Sequence, residues 1–550
     1  MLTRPIFSRL LLLLFLISSL SLQAQMTSPN WVSATDIGSN GKALTLGGPV
    51  AFDKQGNTYE AGSFNNSKRV GDTVLTSRGD LDIYLAKYSP AGKRLWLRQV
   101  GTPFMEYVKD VVLDQAGNAY VTGSFVSSIA VGNNLTLNGA ASGEGRSFVI
   151  RYSSQGQPEW VQQSTTQARF DGIGIDAADN VYLTGTFLDS VTVGSSTITA
   201  SPDDFVMFLA QLSATTGAVQ WLIPVYHYPP QPYVFYYTYP QLAVAPDGAV
   251  YFLNTFYEPP VFPGGPTLTS RGESDVLIAR YSARGTLEWV RQYGGPDRDW
   301  IEDGAVDAAG NLYVTGFITG AASFGPVASS GAGDADGYLA AYSPQGDVRW
   351  VQRAEGIGNG FWSGVCLDPT GNPYVTGGFA GTTKAGAFSL TSAGGLDVGV
   401  AAYSAQGAVR WMQRAGGPND DFGTHLGVDA QGDAYVFARF QGACAFGPFT
   451  LTAPVTDDVY QNGLAHLSST PVVASLPLAF YPNPASDQLH LPGLSAGTPV
   501  QLLDALGRVA RTITVSAAAQ VSVQGLLPGL YTLRATDAKG QSFAGKVVVE

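Results

Sequence analysis

The sequence predicts an all-β protein: a ring of seven like sheets closed by an N-terminal strand, followed by a small β-sandwich. Three observations carry that expectation. A turn of the pattern Asp-x-x-Gly-Asn-x-Tyr recurs, placing its tyrosine at Tyr59, Tyr120, Tyr182, Tyr251, Tyr313, Tyr374 and Tyr435. A tryptophan recurs between the turns, at Trp31, Trp96, Trp160, Trp221, Trp289, Trp350 and Trp411. The composition, with 66 Gly, 27 Phe and 26 Tyr against 13% charged residues, favours short strands and tight turns over long solvated helices.

Residues 1–25 read as a secretory signal. Arg4 and Arg9 form the positive start, Leu10 to Leu22 the apolar stretch, and Leu22-Gln23-Ala24 a small-residue cleavage site. The apolar stretch is short for a membrane span, no Cys follows it to carry a lipid, and no later run of about 18 apolar residues occurs. The mature chain is therefore expected to start near residue 26 and to have no transmembrane segment.

Residues 26–470 are expected to form the ring. A chain of 550 residues is too long for one ordinary core unless repetition builds it, and tyrosine spacings of 61, 62, 69, 62, 61 and 61 define the repeated unit. Each unit offers four strand-like runs. In the second they are DVVLD ending at Asp114, AYVTGSF ending at Phe125, SFVIRYS ending at Ser153 and PEWVQQ around Trp160. Gly117 supplies the left-handed turn between the first two, and a four-stranded antiparallel sheet follows.

The strands lack clean polar–apolar alternation, as expected when both faces of each sheet are covered. Gly62, Gly123, Gly185, Gly316 and Gly377 return three places after the tyrosine. Gly inside a strand is worse than Ala by roughly 0.5–1 kcal/mol, so its return predicts close approach by another backbone or side chain. Trp31 precedes the first turn and no Trp follows the last unit. The strand around Trp31 is therefore expected to complete the seventh sheet, tying the two ends of the ring together and removing open edges.

With DAAGNLYVTG (307–316) followed by DGYLAAYSPQGDVRW (336–350), the units resemble the bacterial seven-bladed β-propeller repeats that carry the Asp-x-x-Gly-Asn-x-Tyr-x-Thr-Gly signature. The resemblance covers about residues 30–470 and implies a fold but no single activity. The departures are local. Unit four reads APDGAVYFLN, and unit seven has Asp433 for the Asn and Ala438 for the Gly.

Charge narrows the partners. The whole chain carries −12, the first 25 residues +2 and residues 471–550 +1, leaving −15 on residues 26–470. Such a surface repels phosphate backbones and argues against nucleic acid. Cys366 and Cys444 lie in different repeats; two buried, unpaired thiols are the preferred reading, with a bond between them as the alternative.

Residues 471–550 change character. Short alternating runs with Gly turns indicate a small β-sandwich. Tyr481-Pro482-Asn483-Pro484, then Leu503 to Arg508 around Gly507, then Pro528-Gly529-Leu530-Tyr531, then Lys546 with three valines, together resemble the C-terminal sorting domain of the type IX secretion system. The resemblance implies partnership with that machinery, export through an outer membrane, and a secreted or cell-surface protein. Glu550 departs from the basic ending common in the family.

No catalytic set is legible. His227, His425, His466 and His490 form no helical His-x-x-x-His pair and lie near no Cys pair, and no Gly-x-Ser-x-Gly elbow occurs. Asp82, Asp275, Asp336 and Asp397 recur at one place in four units. Calcium would want several oxygens converging in one loop, so a turn-capping role is preferred and no cofactor is expected. Two inter-blade loops, GGPDRDWIEDG and GGPNDDFGTHLG, carry Asp297, Asp299, Asp420 and Asp421. Paired carboxylates there could cleave a polysaccharide as hydrolase or lyase, or be ordinary solvated residues.

The insertion YHYPPQPYVFYYTYP (226–240) accounts for the long 69-residue spacing. Tyr226, Tyr228, Tyr233, Phe235, Tyr236, Tyr237 and Tyr239 either stack on sugar faces or fold back over the ring. The leading expectation is a secreted, non-enzymatic binding or adhesion module for an extracellular glycan or protein. The alternatives are the polysaccharide-active enzyme and a structural surface component.

Overall fold

The computed structural model describes residues 29–36, 45–46, 49–90, 92–202, 204–228, 239–330, 335–453, 461–468, 476–503, 509–536 and 542–550. The expected signal, residues 1–25, lies outside them, as do Gly507 and the insertion residues Tyr233, Phe235, Tyr236 and Tyr237. Among the described residues there is no helix, and so none long and apolar enough to cross a membrane.

Each repeat folds as an antiparallel sheet of four main strands. In blade two these run, from inside outward, Tyr107–Leu113, Ala119–Phe125, Arg146–Tyr152 and Pro158–Gln163. The innermost strands are Val50–Phe52, Tyr107–Leu113, Ala168–Ile175, Gln241–Val244, Asp299–Val306, Gly360–Leu367 and Phe422–Val428, and each touches the next in order. The last touches the first, which closes a seven-bladed β-propeller. The outermost strand of blade seven is N-terminal: Asn30–Asp36 pairs antiparallel with Gln461–Ser468, setting Trp31 opposite Leu467.

The signature turn is closed by its own side chains. Asp114 Oδ1 accepts from the backbone N–H of Ala116 (3.0 Å) and Asn118 (2.8 Å), while Oδ2 accepts from Asn118 Nδ2 (2.7 Å). Gly117 has φ 77°, open to Gly at little cost. The same turn binds blades together, because Tyr59 of blade one donates its hydroxyl to the Gly117 carbonyl of blade two at 2.7 Å.

The tryptophans repeat that tie at the outer strands. Trp96 Nε1 donates to the Ser154 carbonyl of the next blade (3.0 Å), and Trp160, Trp221, Trp289 and Trp350 do likewise to Ala214, Ala283, Pro344 and Ala405. Within blades one to six the indole meets the signature tyrosine ring, edge-on at 5.7 Å for Tyr59–Trp96 and 5.8 Å for Tyr120–Trp160, as aromatic quadrupoles favour.

Apolar cores lie between blades. Tyr59, Ile83 and Leu85 of blade one pack with Val121, Phe148 and Ile150 of blade two, and the pattern continues around the ring. Both faces of each sheet are therefore buried, which explains the missing alternation. At the junction of blades seven and one the core is split in two: Val50, Tyr435, Phe437 and Leu464, with Phe52 beside them, and on the blade-one side Phe64, Val70, Leu75, Tyr84, Ala86 and Tyr88. Cys366 and Cys444 are free thiols, Cys444 fully buried.

The strand glycines answer to a backbone, as expected. A Cβ on Gly123 would lie 1.9 Å from the Tyr107 carbonyl oxygen, and Gly185, Gly316 and Gly377 face Arg169, Trp300 and Phe361 in the same way. Gly62 instead faces the Tyr84 ring. Gly123→Ala is expected to destabilise by about 3 kcal/mol or more, against the mild gain that Ala normally brings to a strand. Gly145→Ala, in the same blade with nothing within 4 Å of the added methyl, is the control. Equal melting temperatures for the two variants would refute the steric account.

Four runs per repeat undercount the structure. A short hairpin follows the second strand in blades one, two, three, five, six and seven, as in Ser67–Val70 with Thr73–Thr76 and Ser190–Val193 with Ser196–Thr199. In the tail, a five-stranded sheet (Leu476–Pro477, Ser542–Val549, Gly529–Thr536, Pro499–Leu503, Val509–Thr514) and a pair (Gln488–His490, Gln520–Ser522) share one core around Leu489, Leu502, Val521, Leu533 and Val547.

Candidate functional site

The inner strands are kinked alike. In blade two the pairing of Tyr107–Leu113 with Ala119–Phe125 skips Lys109. It skips Asp171 in blade three, Glu302 in blade five, Ser363 in blade six and Thr424 in blade seven. Each is a β-bulge, which re-aims side chains out of the pleat. All five bulge residues line one central cavity of about 370 Å³, together with Asp110, Gln241, Asp303, His425 and Arg439. The bulge and the strand glycine are one device, since Gly123, Gly185, Gly316 and Gly377 stand opposite the bulges.

Two carboxylates of this channel also bind neighbouring strands. Asp110 accepts from the N–H of Val111 (2.7 Å) and of Ile173 in the next blade (3.3 Å); Asp303 accepts from Gly304 (2.7 Å) and from Val365 in the next blade (2.9 Å). Asp171 is held by Arg169 at 2.9 Å. Glu302 makes no hydrogen bond or ion pair among the described residues, and it faces the lumen.

Burial sets the electrostatics. It pushes Asp110 up to about 7, with Asp303 adding repulsion, and Glu302 to about 7, again with Asp303 beside it. Asp303 rises to about 6. His425 falls to about 4 through burial and the Arg439 charge, and burial lowers Lys109.

An adjoining cavity of about 240 Å³ shares Lys109, Gln241 and Glu302 and adds Tyr239, Asn254, Thr255, Trp300 and Ile301. Trp300 is braced by stacking on Phe317 (6.3 Å) and by the edge of Tyr257 (6.3 Å). Tyr239 is exposed, with Lys109 Nζ 4.0 Å and the Arg169 guanidinium 4.6 Å from its ring centre, a cation–π arrangement.

The aromatic insertion thus divides. Tyr226 and Tyr228 end the outer strand Val219–Tyr228 of blade three and are buried, with the Tyr226 hydroxyl accepting from Asn254 Nδ2 at 2.6 Å. Tyr239 emerges at the mouth of the channel. Packing and exposure, weighed as alternatives from the sequence, fall to different residues of one segment.

The acidic loops are turns. Asp299 and Asp421 are fully buried, accept from Gly295 N–H (2.6 Å) and Gly417 N–H (2.7 Å), and are pushed up to about 7 by burial. Asp297 is exposed, and Asp420 Oδ1 accepts from the Leu396 N–H at 2.9 Å. The recurring Asp82, Asp275 and Asp397 accept from the N–H four residues earlier, of Arg78, Arg271 and Ala393, and Asp336 pairs with Arg353. Among the described residues no group of three or more His, Cys, Asp or Glu is arranged to hold a metal ion.

In the tail, Tyr481 is exposed and stacks on His490 (5.1 Å). Asn483 donates to the Lys546 carbonyl (3.1 Å) and accepts from the Val548 N–H (2.9 Å), while the buried Tyr531 donates its hydroxyl to the Leu527 carbonyl (2.8 Å). Gly529 opens the strand Gly529–Thr536. The motif pieces, distant in sequence, hold the last strand in place.

Comparison with known proteins decides what the tail is. Residues 479–550 match the secretion system C-terminal sorting domain. The protein is exported by the type IX system. Its destination is the cell surface or the extracellular space, and its C-terminal domain is what the secretion machinery meets.

The chain is also similar to an uncharacterised WD repeat-containing protein of Acanthamoeba polyphaga mimivirus, 21% identical over 395 residues. That match takes in 57% of this chain and 27% of the relative, so the chain spans about a quarter of that relative's length. Among solved structures, a quinohemoprotein alcohol dehydrogenase of Comamonas testosteroni has a TM-score of 0.39 at 10% identity, over 84% of this chain and 80% of that one. A protein of unknown function from Dyadobacter fermentans has a TM-score of 0.37 at 11% identity, over 80% and 99%.

Glu302 yields a pH prediction. Its folded value near 7 lies above the ordinary carboxylate range, so ionising it destabilises the fold, fully above about pH 7 and not at all below about pH 4. Glu302→Gln is expected to melt higher than the parent at pH 8, by on the order of 1–3 kcal/mol. The gain should fade to nothing by pH 4. A gain independent of pH would show that charge is not its cause.

Proposed function

We propose that the protein is a secreted, non-catalytic β-propeller binding or adhesion module, made as a signal peptide (1–25), a propeller (26–470) and a sorting sandwich (471–550), with its repeats drawn from the bacterial propeller family named above. The ligand, glycan or protein, is taken at the channel mouth. One observation supports this most: the two cavities share Lys109, Gln241 and Glu302, and the smaller is lined as well by Tyr239 and Trp300. Apolar faces beside a few convergent polar groups are the ordinary build of a ligand site. The burial of Asp299 and Asp421 in their own turns speaks against catalysis from the inter-blade loops.

The test is a glycan panel with the full chain and its Trp300→Ala variant. Binding of one glycan class, weakened about tenfold or more in a variant of unchanged melting temperature, is expected. Release of unsaturated or reducing ends from a bound polysaccharide would establish an enzyme instead. Concentration-dependent self-assembly without glycan binding would establish a structural surface component.

A further inference from the structure

We infer, on the reading that the channel mouth is the ligand site, that the ligand presents an ammonium group there, as an amino-sugar unit of a glycan does, with Glu302 as its counter-charge and Trp300 as the platform for the sugar ring. The channel lining holds four carboxylates, Asp110, Asp171, Glu302 and Asp303, against Lys109 and Arg439. Three of the four are engaged: Asp110 and Asp303 by backbone N–H groups of adjacent blades, Asp171 by Arg169. Glu302 has no such partner among the described residues, yet it lines both cavities.

The cations of the mouth do not fill that role. Lys109 and Arg169 are turned onto the ring of Tyr239, at 4.0 and 4.6 Å, and Arg169 also pairs with Asp171. Burial raises Glu302, Asp110 and Asp303, so an ionised carboxylate without a partner is costly there. A neutral sugar offers Glu302 only hydroxyl donors, whereas an ammonium adds a charge-assisted hydrogen bond and restores its ionised form.

Two features favour an organic cation over a metal ion. The described residues offer no set of three acidic or imidazole ligands in metal-binding array, and the rim is aromatic. Trp300 is held rigid by Phe317 and Tyr257, and a fixed indole face suits both the C–H face of a pyranose and a nearby cation. Together the cavities, about 370 and 240 Å³, fall in the range of small-ligand sites.

The decisive comparison uses two oligosaccharides of equal length, a chitosan oligomer with free amines and its fully N-acetylated counterpart. Each is titrated calorimetrically into the full chain and into Glu302→Gln and Trp300→Ala, at a pH where the amines are protonated. The chitosan oligomer should bind about tenfold or more tighter than the acetylated one. Glu302→Gln should abolish that preference while keeping its fold, and Trp300→Ala should weaken both ligands. Equal binding of the two by the parent protein would overturn the ammonium assignment and leave the channel reading standing. Binding that neither variant alters would overturn the channel reading, and the assignment with it.

Discussion

A chain shortened to begin after Asp36 is expected to lose its soluble monomeric propeller, and Trp31→Ala alone to lower stability by about 3–5 kcal/mol. Asn30–Asp36 supplies the fourth strand of blade seven and joins the first residues of the propeller to its last. Trp31 is buried, its ring meets Phe446 edge-on at 5.1 Å, and its Nε1 donates to the Arg414 carbonyl of blade six at 3.2 Å. Gln413 adds a bond to the Pro29 carbonyl at 2.7 Å. Without the strand, Gln461–Ser468 becomes an open edge with unpaired N–H and C=O groups, a template for pairing with other chains.

The effect is large because the core at that junction is divided into two small clusters rather than one, and the inner strand of blade one runs only from Val50 to Phe52. Size-exclusion chromatography and thermal melting check the prediction. A shortened chain that elutes as a monomer with parental melting would show that the N-terminal strand does not close the ring.

Removal of residues 479–550 is expected to abolish export, leaving the propeller inside the outer membrane with at least about tenfold less protein in the medium and on the surface. A point variant separates signal from fold. Leu533→Ala removes a fully buried side chain from the core shared by both tail sheets, at about 2–5 kcal/mol. A tail of this size is near the lower limit for independent stability, so that loss is enough to unfold it. The propeller transition should not move, while export falls with the tail. Immunoblots of cell fractions and medium, beside melting curves of the purified variants, read both. Undiminished export by the truncated chain would place the sorting information elsewhere.

Much of this architecture is legible along the chain because it rests on local chemistry. The Asp-x-x-Gly-Asn turn is written in five residues, and Asp114 and Gly117 do in space what their types suggest. The count of tryptophans predicted the closing strand, since a strand without a partner in its own repeat must find one elsewhere. The strand glycines announced a close contact, which proved to be a backbone carbonyl at Gly123, Gly185, Gly316 and Gly377 and a side chain at Gly62. The short hairpins were missed, although Gly71, Gly194, Gly325, Gly386 and Gly447 all take the left-handed conformation at their tips; strands of about four residues are too short to show a period.

The site was not legible in the same way. Lys109-Asp110, Glu302-Asp303 and Thr424-His425 each sit four and five residues before the signature turn, but the residue types differ from repeat to repeat, so no motif joins them. The acidic candidates that did form a motif, Asp299 and Asp421, are buried in turns.

By itself, then, the sequence determined the number of blades, the manner of closure and the sorting tail, because each is specified by residues near one another in the chain or by a fixed period. Which side chains gather at the axis was fixed only in three dimensions. Residues some sixty positions apart meet at the axis only when the ring closes, and a bulge in five of the seven inner strands, invisible to composition and periodicity, turns their side chains into the channel.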